Sequence, residues 1–247
     1  MTVCVIGRMC AGPWPGYTEC MASIVENISR VGQQIAEAAR ACDRAPEAVT
    51  LLAVSKTQSA EIVREAWQAG QRHFGENYVQ EALEKIAALP LPGLVWHFIG
   101  PLQSNKTRDI AAHFDWVHSV DRLKIATRLS EQRPADMAPL NVCIQVNISA
   151  EDSKSGVSLT EVQALCEAVQ ALPRLRLRGL MAIPAPCSDP LQQRAVYAPL
   201  AALLHQLQTR FPGMDTLSIG MSGDFAAAIA EGSTMVRVGT AIFGARH

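Results

Sequence analysis

The chain of 247 residues lacks the features that mark several large classes of protein. No apolar run approaches the roughly 18 residues that a membrane span requires, so we expect no membrane partner. The net charge is −1, and without a basic stripe to neutralise phosphates nucleic acid is not an expected partner. The seven cysteines are odd in number and include no CxxC pair, which argues against disulfides and against a metal site. These absences favour a reduced, cytoplasmic protein.

The first 20 residues differ in character from the rest of the chain. They begin apolar, break up at Gly12-Pro-Trp-Pro-Gly16, and lack the positive start and apolar core of a signal peptide. We interpret residues 1–20 as an extension that is disordered or loosely docked, and Met21 as a candidate true start of translation. We expect residues 21–247 to form one domain.

Helix and strand patterns alternate from Met21 onward. The segment 22–41 has apolar residues at spacings of three and four, which is typical of an amphipathic helix. Further helices are predicted at 59–70, 78–88, 121–132, 158–171, 190–210 and 224–231. Eight short apolar runs are predicted strands: 50–55, 73–77, 94–99, 116–120, 141–148, 176–183, 216–219 and 234–238.

Eight strands alternating with helices predict an α/β fold, a single (β/α)₈ TIM barrel with its active site at the carboxyl ends of the strands. Little chain remains after the eighth strand for a last helix. We therefore expect the helix at 22–41 to cover the seam between the eighth and first strands. The alternative is an open doubly wound sheet, but no GxGxxG follows the first strand.

Lys56 is the most informative residue, because it ends the first predicted strand. Burial of an ammonium group lowers its pKa and costs free energy. That cost is tolerated where an uncharged amine is needed, as in a Schiff base with a carbonyl compound. The alternative is a lysine that extends from the strand end into solvent.

The loops after strands seven and eight have the character of an anion site, a recurrent property of this fold. Backbone N–H groups of Ser222 and Gly223 precede a predicted helix, where they can point at an anion. After strand eight, the backbone at Gly239 can also come close to an anion, and Thr240 adds a hydroxyl donor. Each glycine alone is explained equally well as a turn former.

A lysine, a phosphate site and an arginine together suggest pyridoxal 5′-phosphate (PLP) as cofactor. Strands one and eight pair when a barrel closes, so Arg237 in strand eight lies near Lys56 and would face the pyridine nitrogen. A guanidinium stays charged and donates to an unprotonated nitrogen, which makes the ring a weaker electron sink. The alternative is a salt bridge from Arg237 to Asp224 or Glu76.

Several motifs resemble the pyridoxal phosphate homeostasis protein family, over about residue 22 to Arg246. They are Ala53-Val-Ser-Lys-Thr57, Phe74-Gly-Glu-Asn-Tyr-Val-Gln-Glu81, Trp96-His-Phe-Ile-Gly-Pro-Leu-Gln-Ser-Asn-Lys106, Ser153-Lys-Ser-Gly156, Gly179-Leu-Met-Ala-Ile-Pro184, Gly220-Met-Ser222 and Val236-Arg-Val-Gly-Thr-Ala-Ile-Phe-Gly244. The resemblance implies the barrel of alanine racemase without its second domain. It also implies PLP bound covalently to Lys56, with further cofactor contacts from Asn77, Met221, Ser222, Arg237, Gly239 and Thr240.

The resemblance favours a PLP carrier over an enzyme. A racemase needs two bases on opposite faces of the substrate, and Lys56 supplies one. None of the three tyrosines, Tyr17, Tyr78 and Tyr197, is an obvious partner, so no catalytic residue is assigned. The family implies a protein, expected to be a monomer, that holds PLP and supplies it to apoenzymes. Alternatives are a low-activity PLP-dependent racemase or lyase using Lys56 with water or Tyr78, and a Schiff-base aldolase.

Other polar residues are given structural interpretations. His97 in strand three is predicted to be a hydrogen-bonded core histidine, and Met181 to line the barrel. Lys154 is either a second phosphate-responsive lysine or a solvated charge. Arg174, Arg176 and Arg178 alternate around strand six and are predicted to lie on an exposed strand face, the alternative being a polyanion site.

Overall fold

The computed structural model of the protein describes residues 23–149 and 155–244. The extension 1–20, the proposed start at Met21 and the interpretation of Lys154 lie outside the described residues. Within these ranges, no helix has both the length and the apolar character needed to cross a membrane.

Eight parallel strands close into a barrel in chain order, which confirms the predicted TIM-barrel fold. The barrel closes where β8 pairs in parallel with β1, with Leu52 aligned to Arg237. The strands are β1 (Thr50–Val54), β2 (His73–Glu76), β3 (Val95–Phe98), β4 (Trp116–Val120), β5 (Leu140–Gln145), β6 (Leu175–Met181), β7 (Thr216–Ser218) and β8 (Met235–Val238).

Nine α-helices occur in the described part of the chain, and seven of them match the predicted segments. They are α1 (Ile24–Arg40), α2 (Ala60–Gln68), α3 (Val79–Ala88), α4 (Thr107–His113), α5 (Leu123–Gln132), α6 (Val162–Gln170), α7 (Pro190–Gln208), α8 (Phe225–Ala230) and α9 (Thr240–Phe243). The helices α4 and α9 were not predicted, because two turns or fewer are too short to show a helical period.

Helix α1 covers the seam where β8 meets β1, as the sequence predicts. A capping box starts it: the Ser23 hydroxyl accepts the Glu26 N–H, and the Glu26 carboxylate accepts the Ser23 N–H. The helix packs against α2, α8 and α9. Asn27 donates to the carbonyl of Ile242 at 3.0 Å, and Arg30 to that of Ala241 at 3.1 Å. The short α9 is thereby held against the longer helix.

The main hydrophobic core lies between the strands and the helices, and a smaller one fills the barrel. The inner cluster consists of Trp116, Cys143 and Met181, so Met181 lines the barrel as predicted. His97 is fully buried with both ring nitrogens hydrogen-bonded, which agrees with a satisfied core histidine. Arg178 departs from its predicted exposed position, since its guanidinium stacks 4.6 Å from the centre of the Trp116 ring.

Candidate functional site

One cavity at the carboxyl ends of the strands brings the predicted site residues together. It has a volume of about 290 Å³ and is lined by all seven of them: Lys56, Asn77, Met221, Ser222, Arg237, Gly239 and Thr240. Sequence reasoning missed the apolar lining from Ile99 and Ile183. These two residues and Asn77 also line an adjoining cavity of about 240 Å³. A signal existed, because Ile99 and Ile183 are the last residues of the predicted strands 94–99 and 176–183, at the carboxyl edge of the sheet.

Lys56 lies two residues beyond the end of β1, which is shorter than predicted. Ser55 still donates its N–H to the carbonyl of Gly75 at 3.0 Å, and the chain then turns away from the sheet. The lysine is half-buried and lines the cavity. The next residue, Thr57, has a φ of 66°. This left-handed conformation is strained for a β-branched residue and stores local strain beside Lys56.

Helix α3 holds the backbone on both sides of Lys56. The carboxylate of Glu81 accepts the N–H of Thr57 at 2.6 Å. The ammonium of Lys85 donates to the carbonyl of Ser55 at 2.7 Å and to Glu81 at 2.5 Å. These three contacts fix the strained turn, and with it the position from which the Lys56 side chain starts.

Lys85 also pairs with a buried carboxylate, that of Glu76. The two side chains are 4% and 0% exposed, and the ammonium lies 2.8 Å from Oε1 of Glu76. The Ser55 hydroxyl donates to the same oxygen at 2.6 Å, whereas Oε2 has no hydrogen-bond partner among the described residues. Burial raises the pKa of Glu76, and Lys85 opposes that rise. Sequence reasoning missed this cluster, although a charged residue ending a buried strand was a signal.

Asn77 places an unpartnered acceptor in the cavity wall. Its Oδ1 atom is buried and has no hydrogen-bond partner among the described residues. The backbone of Asn77 is approached closely by Gly100, where a Cβ atom would lie 2.2 Å from the Asn77 carbonyl oxygen. Only glycine fits at position 100, so the chain after β3 can pass directly against the backbone of Asn77. A ligand with a hydroxyl or N–H group can satisfy the free amide oxygen.

The segments after β7 and β8 form the polar end of the cavity. Ser222, Gly223 and Thr240 are exposed and line it. Among the hydrogen bonds of the described residues, none uses the backbone N–H of any of these three. The turn is held by Asp224, whose carboxylate accepts the N–H of Met221 at 2.6 Å and the hydroxyl of Tyr197 at 2.8 Å. Free N–H groups and two hydroxyls suit an anionic ligand.

Arg237 is buried in the cavity floor and bound by neutral groups. Its NH1 donates to the carbonyl of Ser218 at 2.5 Å and to the Ser218 hydroxyl at 3.0 Å, and its NH2 donates to the carbonyl of Ala182 at 2.9 Å. The salt bridges of the described residues do not include Arg237, so the alternative pairing with Asp224 or Glu76 is wrong. Burial lowers the pKa of Arg237, yet a guanidinium keeps its charge.

The cavity has no tyrosine to oppose Lys56 among the described residues that line it. Tyr197 is fully buried behind the loop, donates to Asp224, and has a pKa raised chiefly by burial. Tyr78 is 57% exposed and directly precedes α3. Tyr17 lies outside the described residues. The described site therefore provides one amine and no opposing tyrosine base.

Comparison with known proteins shows extensive similarity. The model of the family "Alanine racemase, N-terminal domain" matches residues 27–247. The protein named pyridoxal phosphate homeostasis protein in Escherichia coli K12 is 60% identical over 229 residues, which cover 92% of this chain and 98% of that protein. The protein of that name in Pseudomonas aeruginosa is 62% identical over 226 residues, covering 92% and 97%.

Solved structures show the same relationship. PipY of Synechococcus elongatus with PLP bound is 38% identical, with a TM-score of 0.78, and the match covers 90% of this chain and 100% of that chain. The PLP-free form of PipY has a TM-score of 0.80 at the same coverage. Alanine racemase from Corynebacterium glutamicum is 18% identical with a TM-score of 0.68, covering 91% and 62%. The last similarity is one of fold alone.

Proposed function

Because the chain belongs to the pyridoxal phosphate homeostasis protein family, we propose that it binds PLP, holds it as a Schiff base on Lys56, and supplies it to cytoplasmic apoenzymes. The observation that carries this proposal is one cavity in which a lysine, a charged arginine and backbone N–H groups suited to an anion lie together. Bound PLP supplies an electrophilic aldehyde and an electron-accepting ring.

The polar end of the cavity is the proposed phosphate site. The hydroxyls of Ser222 and Thr240 and the N–H groups at Ser222, Gly223 and Thr240 can donate to phosphate oxygens. Such charge-assisted hydrogen bonds are worth about 1.5–3 kcal/mol each. Gly239 keeps this wall close to β1, since a Cβ atom there would lie 3.2 Å from the carbonyl oxygen of Val54.

Asn77 and Arg237 are the proposed contacts to the ring. The unpartnered Oδ1 of Asn77 can accept a hydrogen bond from a ligand hydroxyl. Arg237 forms no salt bridge with a carboxylate of the described residues, so its guanidinium can donate to the pyridine nitrogen. An unprotonated ring withdraws less charge than a protonated one, which favours storage of PLP over carbanion chemistry.

The proposed role is that of a carrier, because the described residues of the site provide no tyrosine base opposite Lys56; the monomeric state is carried over from the family resemblance. General acid–base catalysis contributes about 10²–10⁴-fold to an enzyme rate, and no described tyrosine lies opposite Lys56 to provide it. The relatives in Escherichia coli and Pseudomonas aeruginosa are named as homeostasis proteins. With Lys56 as the one base, a proton removed from the Cα atom of an amino acid would return to the same face of that atom, and no racemisation would result.

Absorbance titration tests the binding proposal. We expect PLP to give a visible band with the native protein and none with Lys56→Ala at an unchanged melting temperature. Lys124→Ala is the matched control, since Lys124 is an exposed lysine of α5 that does not line the cavity. A visible band that survives Lys56→Ala would contradict the assignment, as would the absence of a band in the native protein.

Isotope exchange and transfer assays test the carrier role. The PLP-loaded protein is incubated with L-alanine in deuterated water and, separately, with a PLP-dependent apoenzyme. We expect negligible inversion at Cα and recovery of apoenzyme activity at a rate above that with the Lys56→Ala protein. Inversion at about 1 s⁻¹ or faster, without transfer, would instead indicate an ordinary enzyme.

A further inference from the structure

A continuous chain of hydrogen bonds crosses the inside of the barrel and ends at Arg237. Nδ1 of His73 lies 2.9 Å from Nε2 of His97, and Nδ1 of His97 lies 2.9 Å from Nε2 of His118. Nδ1 of His118 lies 2.9 Å from the hydroxyl of Ser218, which accepts from Arg237 at 3.0 Å. We call these three histidines and Ser218 the histidine chain. It links inward-facing positions on β2, β3, β4 and β7 to β8.

The inner members of the histidine chain are neutral. His97, His118 and Ser218 are 0% exposed. Burial and the neighbouring histidines place the pKa of His97 well below its usual value, and burial with the nearby Arg237 lowers the pKa of His118 to about 3. Each imidazole therefore carries one proton and must donate from one nitrogen and accept at the other.

Arg237 sets the direction of donation along the whole chain. A guanidinium only donates, so the Ser218 hydroxyl accepts from it. If Ser218 also accepted from His118, its own hydroxyl proton would be buried without an acceptor, which is unfavourable. Ser218 therefore donates to Nδ1 of His118. Because a neutral imidazole that accepts at Nδ1 donates from Nε2, the Nε2–H of His118 donates to Nδ1 of His97. For the same reason, the Nε2–H of His97 donates to Nδ1 of His73.

We propose that Ser218, His118 and His97 are positioning residues that orient the Arg237 guanidinium toward the ring of the bound cofactor. Arg237 touches the ligand in this arrangement, and the other three act through it. The inference rests on the proposed function for its ligand, but the hydrogen-bond direction belongs to the protein alone. Without the acceptor at His118, the Ser218 hydroxyl is free to rotate, and Arg237 loses one of its fixed contacts.

The tautomers of the histidines test the direction of the chain without any cofactor. Long-range ¹H–¹⁵N correlation spectra of histidine-labelled, PLP-free protein distinguish Nε2–H from Nδ1–H imidazoles. We expect His97 and His118 to be neutral Nε2–H tautomers, with Nδ1 shifted as a hydrogen-bond acceptor. An Nδ1–H tautomer at His118, or a charged ring at pH 7, would overturn the inference even if PLP binds as proposed.

Ligand affinity tests the positioning role. Ser218→Ala removes the hydroxyl that Arg237 contacts, and we expect PLP and pyridoxal to bind about tenfold more weakly, both to the same extent. His118→Leu should act in the same direction, and His118→Asn, which keeps an acceptor near Nδ1, should restore most of the affinity. The visible band of the bound ligand should shift in Ser218→Ala.

Ser233→Ala is the matched control, because Ser233 is an equally buried serine whose hydroxyl donates to the carbonyl of Ile219 at 2.8 Å and is not a hydrogen-bond partner of Arg237. We expect it to change stability but not affinity or the band. Unchanged affinity in a folded Ser218→Ala protein would refute the positioning role. If the native protein did not bind PLP, the proposed function would be refuted. The tautomer spectra would still show whether the hydrogen bonds of the histidine chain run in the inferred direction.

Discussion

Replacement of Lys85 by methionine should destabilise the protein in a way that depends on pH. Methionine keeps the length and apolar bulk of the lysine stem but removes the ammonium that contacts Glu76 at 2.8 Å. The Glu76 carboxylate is 0% exposed, so it cannot recover this interaction from water. Removing one partner of a buried ion pair typically costs about 3–5 kcal/mol.

The magnitude follows from the proton that Glu76 must bind in the variant. Burial already raises the pKa of Glu76 above 4.5, and loss of Lys85 raises it further. A carboxyl group whose pKa is higher in the folded protein than in the unfolded chain stabilises the fold fully at pH values below its unfolded pKa. This stabilisation is lost as the pH rises through its folded pKa. Protonation therefore costs up to about 3.4 kcal/mol at pH 7, and about 0.7 kcal/mol at pH 5.

Urea unfolding of Lys85→Met at pH 5, 6 and 7 measures this dependence. We expect its free energy of unfolding, relative to the native protein, to fall further by up to about 2.7 kcal/mol between pH 5 and 7. Adding Glu76→Gln should remove the dependence. Arg194→Met, which breaks an exposed ion pair to Glu231, is a control expected to cost under about 1 kcal/mol. An equal loss at pH 5 and 7 would refute the reasoning.

Three further predictions concern the site and its supports. Ser222→Ala combined with Thr240→Ala should weaken PLP binding by about 1.5–3 kcal/mol per lost bond in titrations and leave pyridoxal binding unchanged; equal weakening of both ligands would exclude the phosphate site. His118 binds its proton only near pH 3 in the folded protein and near pH 6.5 in the unfolded chain, so through this residue the native protein should lose about 1.4 kcal/mol of its free energy of unfolding per pH unit between pH 6 and 4. The His118→Asn protein lacks this contribution. Its free energy of unfolding should therefore fall by that much less than the native value over the same range. Parallel curves for variant and native protein would contradict a neutral His118. Thr57→Gly should raise the melting temperature, since the φ of 66° costs a threonine about 1–3 kcal/mol; a lower melting temperature would show that the strain is already relieved.

The barrel and the cavity lining could be predicted because both follow from local pattern and one rule of topology. Alternating strands and helices predict the fold, and the carboxyl ends of parallel strands converge, so Lys56, Ser222 and Thr240 could be placed together from their positions after strands. The pairing of β1 with β8 placed Arg237 beside them. Strand ends were predicted less accurately: β1 stops at Val54, one residue before its predicted end, and the chain turns at Lys56 and Thr57.

The supporting contacts could not be predicted, because they depend on pairings between distant elements. Periodicity indicates that Glu76 and Lys85 are near a strand end and on a helix, but not that they meet. His97 was recognised as a core residue by itself. Its hydrogen bonds to His118 and, through it, to Ser218 could be predicted only if it were known that three strands direct these side chains into the barrel. The contact of Ser218 with Arg237 would have to be known as well.

The most direct test of the central claim is peptide mass spectrometry of the PLP-loaded protein after reduction with borohydride. Reduction converts a Schiff base to a stable secondary amine and so marks the lysine that holds the cofactor. The account predicts one pyridoxyl group, on the peptide that contains Lys56, and none on that peptide in Lys56→Ala. A label found only on another lysine, such as Lys106 or Lys124, would contradict it.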